Sequence, residues 1–168
     1  REDVDLGPIV NQKQLERVDG IVRRSIEGGA RLVVGGTHEG LFYRPTVLAE
    51  VSTSLPAWTD EIFGPVAPVV VFDTDEEALT LANDSEYGLT GAVYSRSISR
   101  GLALAQRFRS GMVHVNDQTV NDEATIPFGG MGASGNGSRF GGPANWDEFT
   151  QWQWISVRDD PKSFPYPY

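Results

Sequence analysis

The sequence contains no cysteine and only two histidines among its 168 residues. The absence of cysteine excludes disulfides, thiolate metal sites and a cysteine nucleophile within this chain. His38 and His114 are far apart in sequence and have no partner at the spacing of metal ligands, so neither is a good candidate for catalysis. No stretch reaches the ~18 apolar residues of a membrane-spanning helix, and no charged-then-apolar signal precedes residue 10.

Positive charge is also scarce. Lys and Arg number 14 against 23 Asp and Glu, which gives a formal net charge of −9. The basic residues form no cluster of the kind that follows a phosphate backbone, so we expect neither nucleic acid nor a membrane surface as a partner. Hydrophobic residues make up 39% of the chain and charged residues 22%, as in ordinary globular domains. We expect a soluble, cytoplasmic protein with one substantial core.

Three helices are predicted from their start signals. Asn11 with Gln14 three residues later is a capping-box pattern, and apolar residues then recur at helical spacing, which predicts a helix over residues 12–27. A second capping box begins at Thr74, and Ser97 is a cap for the third helix. We expect this last helix to continue until Gly111.

Strand patterns alternate with these helices. The run from Val66 to Phe72 is continuously apolar, which is typical of a strand covered on both faces, although Pro68 weakens its start. Alternation of strand and helix favours parallel pairing. We therefore predict an α/β fold, a layered parallel sheet with flanking helices. Its strands are expected at residues 32–34, 46–48, 66–72, 90–94 and 112–116.

A loop immediately before the 66–72 run combines acids, an aromatic and a Gly-Pro turn. This 61–65 loop reads Glu61-Ile62-Phe63-Gly64-Pro65. Pro65 fixes its own φ angle and disfavours a helical Gly64, while glycine can take dihedral angles closed to other residues. The pattern predicts a stiff loop that presents Glu61 and Phe63 to a ligand. The alternative is a plain turn with a solvated glutamate and a core phenylalanine.

Glu-Ile-Phe-Gly-Pro is similar to the signature of the aldehyde dehydrogenase superfamily, and the resemblance covers nearly the whole chain. Residues 115–123 and 140–142 most resemble the benzaldehyde and vanillin type of dehydrogenase. The other matching motifs follow in the family's order at roughly its spacing: Gly7-Pro8, Gly35-Gly36, Arg44-Pro45-Thr46-Val47-Leu48, Tyr87-Gly88-Leu89, Gly111 with Val113-His114-Val115-Asn116, and Pro127-Phe128-Gly129-Gly130.

The resemblance implies a fragment. In the family, the cysteine nucleophile and the glutamate that activates water both lie upstream of the region matched by Gly7-Pro8. Residues 1–148 would be the C-terminal part of the catalytic domain, and residues 149–168 an oligomerisation arm strand with its tail. The parent would be an NAD(P)-dependent aldehyde dehydrogenase that oxidises an aromatic aldehyde to the carboxylic acid. No catalytic residue is expected in this chain, which we predict to be inactive by itself.

The resemblance also assigns binding roles. Glu61 would accept hydrogen bonds from the ribose hydroxyls beside the nicotinamide of NAD or NADP, and Phe63 would pack at the nicotinamide. Phe128 corresponds to a residue of the family's substrate tunnel, and Val120 and Ile126 are candidate apolar lining of the same pocket.

Two other motifs have simpler explanations. Residues 130–135 satisfy G-x-G-x-x-G, but Pro127 precludes a strand before them, and later glycines interrupt any long helix. We expect a folded-back glycine turn that directs Phe128 into a pocket. The acidic run 73–77 lacks the pattern of a calcium loop and is typical of a helix's first turn, so we expect no metal site.

The segment 149–157 has strand composition, with Trp152 and Trp154 on one face. It is either a covered strand of this domain or, as the resemblance favours, an arm that completes a sheet of another subunit in a homo-oligomer. Two alternatives to an enzyme fragment follow. One is a non-catalytic, truncated paralogue that serves as an assembly module, and the other is a glycine-rich nucleotide-binding module.

Overall fold

Helix α1, Gln12–Glu27, organises the first half of the chain and confirms the prediction. The computed structural model describes residues 5–159, and the chain divides after Ser85 into two units. Asn11 Oδ1 accepts a hydrogen bond from the Gln14 N–H at 2.9 Å, so the N-terminal cap forms. Gly28 is the C-cap residue of the helix, and Gly29 then adopts the positive φ of 109° that favours glycine.

The first unit packs α1 against a three-stranded sheet and a short helix. Strands β1 (Arg31–Val34) and β4 (Thr46–Ala49) are antiparallel, and β5 (Val66–Pro68) is parallel to β4. Between β1 and β4, β2 (His38–Glu39) and β3 (Phe42–Tyr43) form a small hairpin. Helix α2 (Pro56–Thr59) precedes the 61–65 loop, and α3 (Asp75–Asn83) follows β5.

The core of this unit lies between α1 and the segments that contact it. Leu15, Val18, Ile21 and Val22 recur at helical spacing on the inner face and are almost completely buried. Their burial explains why a helix with a largely polar outer face is stable in this position. The other buried members of the cluster are Ile9, Ala30, Tyr43, Leu48, Val51, Leu55, Ala57 and Ile62.

The strand predicted at residues 66–72 is shorter and more exposed than expected. It ends at Pro68, and Val71 is 79% exposed. The partner strand β4 ends at Ala49, and Glu50 then adopts a left-handed φ of 56°. Beyond Pro68, the Val69 N–H donates to Leu48 O of β4 at 2.8 Å. Pro68 therefore lies at the end of the strand, where its missing N–H matters least.

The second unit is built on a parallel pair of strands. Strands β6 (Thr90–Val93) and β7 (Met112–Val115) are in register, with Thr90 opposite Met112. Helix α4 (Ile98–Ala105) connects them, and the Ser97 hydroxyl caps it by accepting from the Arg100 N–H. The α/β class and the parallel pairing of β4 with β5 and of β6 with β7 are thus confirmed, whereas β1 and the β2–β3 hairpin pair antiparallel. A 3-10 helix (Gly132–Ser134) and α5 (Ala144–Phe149) complete the described part of this unit.

One prediction and one alternative for the second unit are wrong. Helix α4 ends at Ala105 instead of Gly111, because residues 107 and 108 form tighter bonds to the third residue before them. This turn brings the Phe108 ring against Gly91, where a Cβ atom would lie 2.5 Å from the ring. Phe149 is the last residue of α5 and residues 150–159 form no strand, which excludes a covered strand of this domain, while the arm strand between subunits stays a prediction. The predicted tail 160–168 lies outside the described residues, as does the domain start at residues 1–4.

Candidate ligand-binding loop and aromatic turn

The 61–65 loop presents its two predicted ligand residues to solvent. Glu61 is exposed, Ile62 is buried in the core, and the Phe63 side chain is 72% exposed. The alternation arises because α2 ends at Thr59, with Asp60 as its C-cap, and the Pro65 carbonyl accepts a hydrogen bond from the Thr46 N–H at 2.8 Å, where β5 begins. The loop is therefore anchored at both ends and through Ile62, and the exposed ring excludes the alternative of a core phenylalanine.

Phe63 has the most unusual backbone of the loop, with a φ of 52°. The left-handed region is disfavoured for bulky residues, at a cost of roughly 1–3 kcal/mol. Such a conformation persists only where surrounding contacts determine it, and strained residues are enriched at binding sites. The sequence pattern predicts unusual dihedral angles at Gly64, but the φ angle of Gly64 is not positive. Gly64 is required for space instead, since a Cβ atom there would lie 2.8 Å from Val18.

Helix α1 supplies the contacts that hold the loop. The Gln14 amide donates to both Ile62 O and Phe63 O, each at 3.1 Å. The Arg17 guanidinium donates to Ile62 O at 3.0 Å. The capping box at Asn11 is therefore only half formed, because the Gln14 side chain contacts the loop.

An open pocket of about 560 Å³ lies beside the ring of Phe63. Its lining is mostly apolar, with the Gln14 amide as a polar group on the helix side. Such a surface can accept one face of a flat ring next to an exposed phenylalanine. The lining residues are Leu6, Gly7, Pro8, Ile9, Val10, Gln14, Phe63, Gly64 and Pro65.

The three candidate substrate residues lie on one loop of the second unit. Phe128 forms a two-bond bridge with Phe140, with N···O distances of 2.6 and 3.1 Å, and their ring centroids are 5.2 Å apart. Val120 is 75% exposed and Ile126 is also exposed. The structure thus gives Phe128 an aromatic partner that the sequence did not indicate. A shared pocket for the three residues stays a prediction.

Asn116 determines where the chain leaves β7. Its φ is 59°, and its side-chain amide accepts from the Ser95 N–H at 2.7 Å and donates to Ser95 O at 2.9 Å. The ends of β6 and β7 are thereby joined just before the loop that carries Val120. Hydrogen bonds from the Asn121 amide and the Gln118 N–H lower the pKa of the neighbouring Asp117.

The glycine-rich segment 130–135 folds back on itself, as predicted. A Cβ atom on Gly135 would lie 2.2 Å from Gly130 O, and Gly132–Ser134 form a 3-10 turn instead of opening a long helix. The Arg139 guanidinium donates to Gly130 O at 3.1 Å and holds the turn. A dinucleotide fingerprint would need a strand before it and a helix after it.

Neither the acidic run nor the histidines form a metal site in residues 5–159, where no group of three or more possible ligands lies together. The Thr74 hydroxyl caps α3 by accepting from the Glu77 N–H, and the Glu77 carboxylate accepts from the Asp73 N–H. The acidic run therefore stabilises the N-terminus of α3. The Nε2 atom of His114 is buried and has no hydrogen-bond partner in the described structure. Among the helices of residues 5–159, none combines the length and hydrophobicity of a membrane span.

Gln14 and Arg17 are the residues that sequence reasoning missed. Gln14 had a sufficient local explanation as part of the capping box, and Arg17 resembled any exposed residue on a polar helix face. The available signal was their spacing, since positions 14, 17 and 18 lie on neighbouring parts of one helix face. That signal does not identify a partner 48 residues away in sequence.

Comparisons with known proteins match this chain over nearly its whole length. The pattern of the aldehyde dehydrogenase family matches residues 1–155. The chain is 49% identical over 165 residues to a benzaldehyde dehydrogenase [NAD(+)] from Pseudomonas putida, and 51% identical over 166 residues to a vanillin dehydrogenase from Amycolatopsis. Each alignment covers 98% of this chain and 34% of the relative.

A solved structure shows the same arrangement of elements. The crystal structure of a salicylaldehyde dehydrogenase from Pseudomonas putida, complexed with salicylaldehyde, superposes with a TM-score of 0.87 and 35% identity. The match covers 96% of this chain and 33% of that one. The chain thus spans about a third of the length of the relatives that it matches.

Proposed function

The chain belongs to the aldehyde dehydrogenase family, and on that premise we propose that it is the C-terminal part of the catalytic domain of an NAD(P)-dependent enzyme. This enzyme oxidises an aromatic aldehyde to the carboxylic acid. The observation that carries the proposal is the 61–65 loop, which holds an exposed carboxylate and an exposed aromatic ring in a fixed conformation beside an open pocket.

The residues present fit a nicotinamide nucleotide. The two oxygens of the Glu61 carboxylate match two vicinal ribose hydroxyls, because an ionised carboxylate accepts hydrogen bonds without donating any. The ring of Phe63 stands free of the core and can pack against a flat heterocycle. Phe63 would limit where that heterocycle lies.

The chemistry divides between this chain and the rest of the enzyme. The nicotinamide, when bound, would supply the hydride acceptor for oxidation of the aldehyde carbon. Glu61 and Phe63 fix its position, and orientation of reacting groups is a large contribution to such a reaction. The chain has no cysteine, so the nucleophile that attacks the aldehyde belongs to the remaining part of a longer protein. This chain contributes binding and orientation.

The proposed substrate class is supported by relatives whose names specify benzaldehyde, vanillin and salicylaldehyde. We propose that Phe128 and the apolar side chains of Val120 and Ile126 form one wall of the aldehyde pocket once the longer protein is assembled. Aromatic side chains favour a flat ring over a short alkyl chain. We expect a higher kcat/KM for benzaldehyde than for acetaldehyde, and comparable values would contradict this assignment.

Assembly is the second function that an observation supports. Trp152 and Trp154 are fully exposed in a segment without secondary structure, next to exposed Ile155 and Val157. Exposed apolar side chains at alternate positions suit strand addition to another sheet. We propose that residues 149–168 are the arm through which the enzyme forms a homo-oligomer. The alternative function is that of a truncated, non-catalytic assembly module. The cytoplasmic location of the protein stays a prediction.

The experiment that tests the proposal is the substitution Glu61→Gln in the longer protein. Loss of a charge-assisted hydrogen bond should weaken cofactor binding or slow hydride transfer by roughly 1.5–3 kcal/mol, which is about tenfold to a hundredfold. Cofactor titration and single-turnover kinetics measure the two effects separately. The matched control is Glu39→Gln, another exposed glutamate of the first unit, which should leave both unchanged. Unchanged affinity and hydride transfer in Glu61→Gln would show that Glu61 is only a surface acid.

A further inference from the structure

Three side chains of helix α1 form hydrogen bonds with the segment from α2 to the 61–65 loop. Ser25 Oγ, completely buried, accepts from the Ala57 N–H of α2 at 2.9 Å. Near the other end of the helix, Arg17 and Gln14 donate to the carbonyls of Ile62 and Phe63. Positions 14 and 25 are eleven residues apart, about three helical turns, so both lie on the same face of α1. One face of a rigid helix thus acts as a template for the whole segment.

The Gln14 contact has a specific consequence for Phe63. The carbonyl of Ile62 belongs to the peptide plane before Phe63, and the carbonyl of Phe63 to the plane after it. Two dihedral angles, φ and ψ of Phe63, relate these planes, because each peptide unit is itself rigid. An amide that binds both carbonyls therefore determines the conformation of this one residue. Arg17 provides a second donor to the first carbonyl.

Packing alone does not account for the geometry at Phe63. Its ring is mostly exposed, so the left-handed backbone gains nothing from burial of the side chain. Its neighbours supply anchors on either side, Ile62 in the core and Gly64 against Val18. The conformation of the residue between these anchors depends on the two carbonyl contacts.

We propose that Gln14, assisted by Arg17, is the positioning residue of the 61–65 loop and holds Phe63 in the left-handed conformation that directs its ring outwards. Gln14 also lines the pocket beside Phe63. The inference rests on the proposed cofactor role of this loop and adds a residue that controls it through the backbone.

The conformational half is tested on this chain by NMR. The three-bond HN–Hα coupling and the Cα chemical shift of Phe63 report its φ angle. Gln14→Ala removes both contacts, and Gln14→Glu keeps the size of the side chain but replaces the donor by an acceptor. In both we expect Phe63 to leave the left-handed region or to exchange between conformations. The matched control is Gln12→Ala, because Gln12 donates to Glu16 on the same helix at 3.1 Å.

Arginine variants test the assisting donor. Arg17→Ala should shift the Phe63 signals in the same direction but less, and Arg17→Lys should restore them in part, since an ammonium can still donate to one carbonyl. Arg23→Ala is the matched control, because it removes the same charge from the same helix but at a side chain that pairs with Asp19, at 2.6 Å, and not with the loop. Melting temperatures and the methyl signals of Leu15 and Val18 identify any variant that fails to fold. Gln14→Glu, with its unchanged size, then provides the decisive comparison.

The functional half is tested in the longer protein. The Gln14 variants should raise the KM for the cofactor or slow hydride transfer by on the order of tenfold, with little change in the KM for aldehyde. Unaltered Phe63 signals in Gln14→Ala and Gln14→Glu overturn the positioning role, even if cofactor binding weakens, because Gln14 would then act by direct contact. Altered Phe63 signals with unchanged cofactor kinetics support the positioning role and overturn the proposed cofactor role of the loop.

Discussion

At the scale of single residues, chemistry was easier to anticipate than conformation. The exposed Glu61 carboxylate agrees with a loop that presents an acid, since glutamate is rarely buried without a partner. The prediction placed the unusual dihedral angles at Gly64, whereas the structure has them at Phe63 and requires Gly64 for space. Both depend on α1, where Val18 occupies the space beside Gly64 and Gln14 binds the Phe63 carbonyl. Neither neighbour is adjacent in sequence.

Tyr43 provides a prediction at this scale. Burial, followed by the nearby Asp19 carboxylate and its hydrogen bond, raises the pKa of Tyr43 from 10.0 to about 12. Below pH 10 the hydroxyl is protonated in both folded and unfolded chains. Between about pH 10 and 12 only the unfolded chain loses this proton, so stability falls as pH rises. The total effect is at most roughly 2–3 kcal/mol.

The test compares urea unfolding of the natural chain and Tyr43→Phe from pH 8 to 12. Phe lacks the ionisable hydroxyl, so the variant should lose less stability across the alkaline range. At pH 8 the variant should be slightly less stable, because it lacks the 3.4 Å hydrogen bond from the Tyr43 hydroxyl to Asp19. This difference in stability serves as the reference. Equal slopes above pH 10 would show that Tyr43 ionises normally in the folded chain.

At the scale of elements, starts were more predictable than ends, since the end of α1 was predicted correctly but those of α4 and β5 were not. Asn11, Thr74 and Ser97 each accept from the N–H three residues later, as their sequence patterns indicated. These caps act within one turn, so the local sequence contains them entirely. The ends of α4 and β5 depend on where Phe108 packs and where β4 turns away. Those contacts come from other parts of the chain.

The arm provides the prediction at this scale. In the longer protein, deletion of residues 149–168 should shift the oligomer toward monomer at micromolar concentration, because the exposed apolar segment would supply the strand that joins subunits. Light scattering measures the mass. Deletion of residues 160–168 alone is the control and should preserve the oligomer, since Trp152 and Trp154 remain. An unchanged mass after the longer deletion, with intact folding by circular dichroism, would exclude this segment as the assembly arm.

At the scale of the whole molecule, the family sequence pattern extends across both units of the chain. Glu61 and Phe63 belong to the first unit and Phe128 to the second, so each unit contributes one of the proposed binding functions. The chain covers about a third of the length of these relatives and has no cysteine, which is consistent with the proposed division between binding and nucleophilic chemistry. The exposed apolar residues of β5 and its extension agree with surfaces that further protein would cover.

The corresponding prediction concerns activity. The purified 168-residue chain should not reduce NAD or NADP with benzaldehyde, because no thiol is present to form the covalent adduct with the aldehyde. Absorbance of the reduced cofactor measures turnover. A sample without protein sets the background, and the longer protein under the same conditions is the positive control. Turnover above background would contradict both the fragment assignment and the division of chemistry proposed above.

The sequence by itself determined the family, the helix starts, the α/β class and the lack of a thiol nucleophile. These properties are local or compositional, because motifs, caps and hydrophobic periodicity are contained in neighbouring residues. Only the tertiary structure decided that Phe63 is left-handed, that Gln14 and Arg17 hold its loop, and that β5 ends at Pro68. The physical reason is that each of these depends on contacts between segments distant in sequence, up to 49 residues for Gln14 and Phe63. Such contacts exist only once the chain is folded.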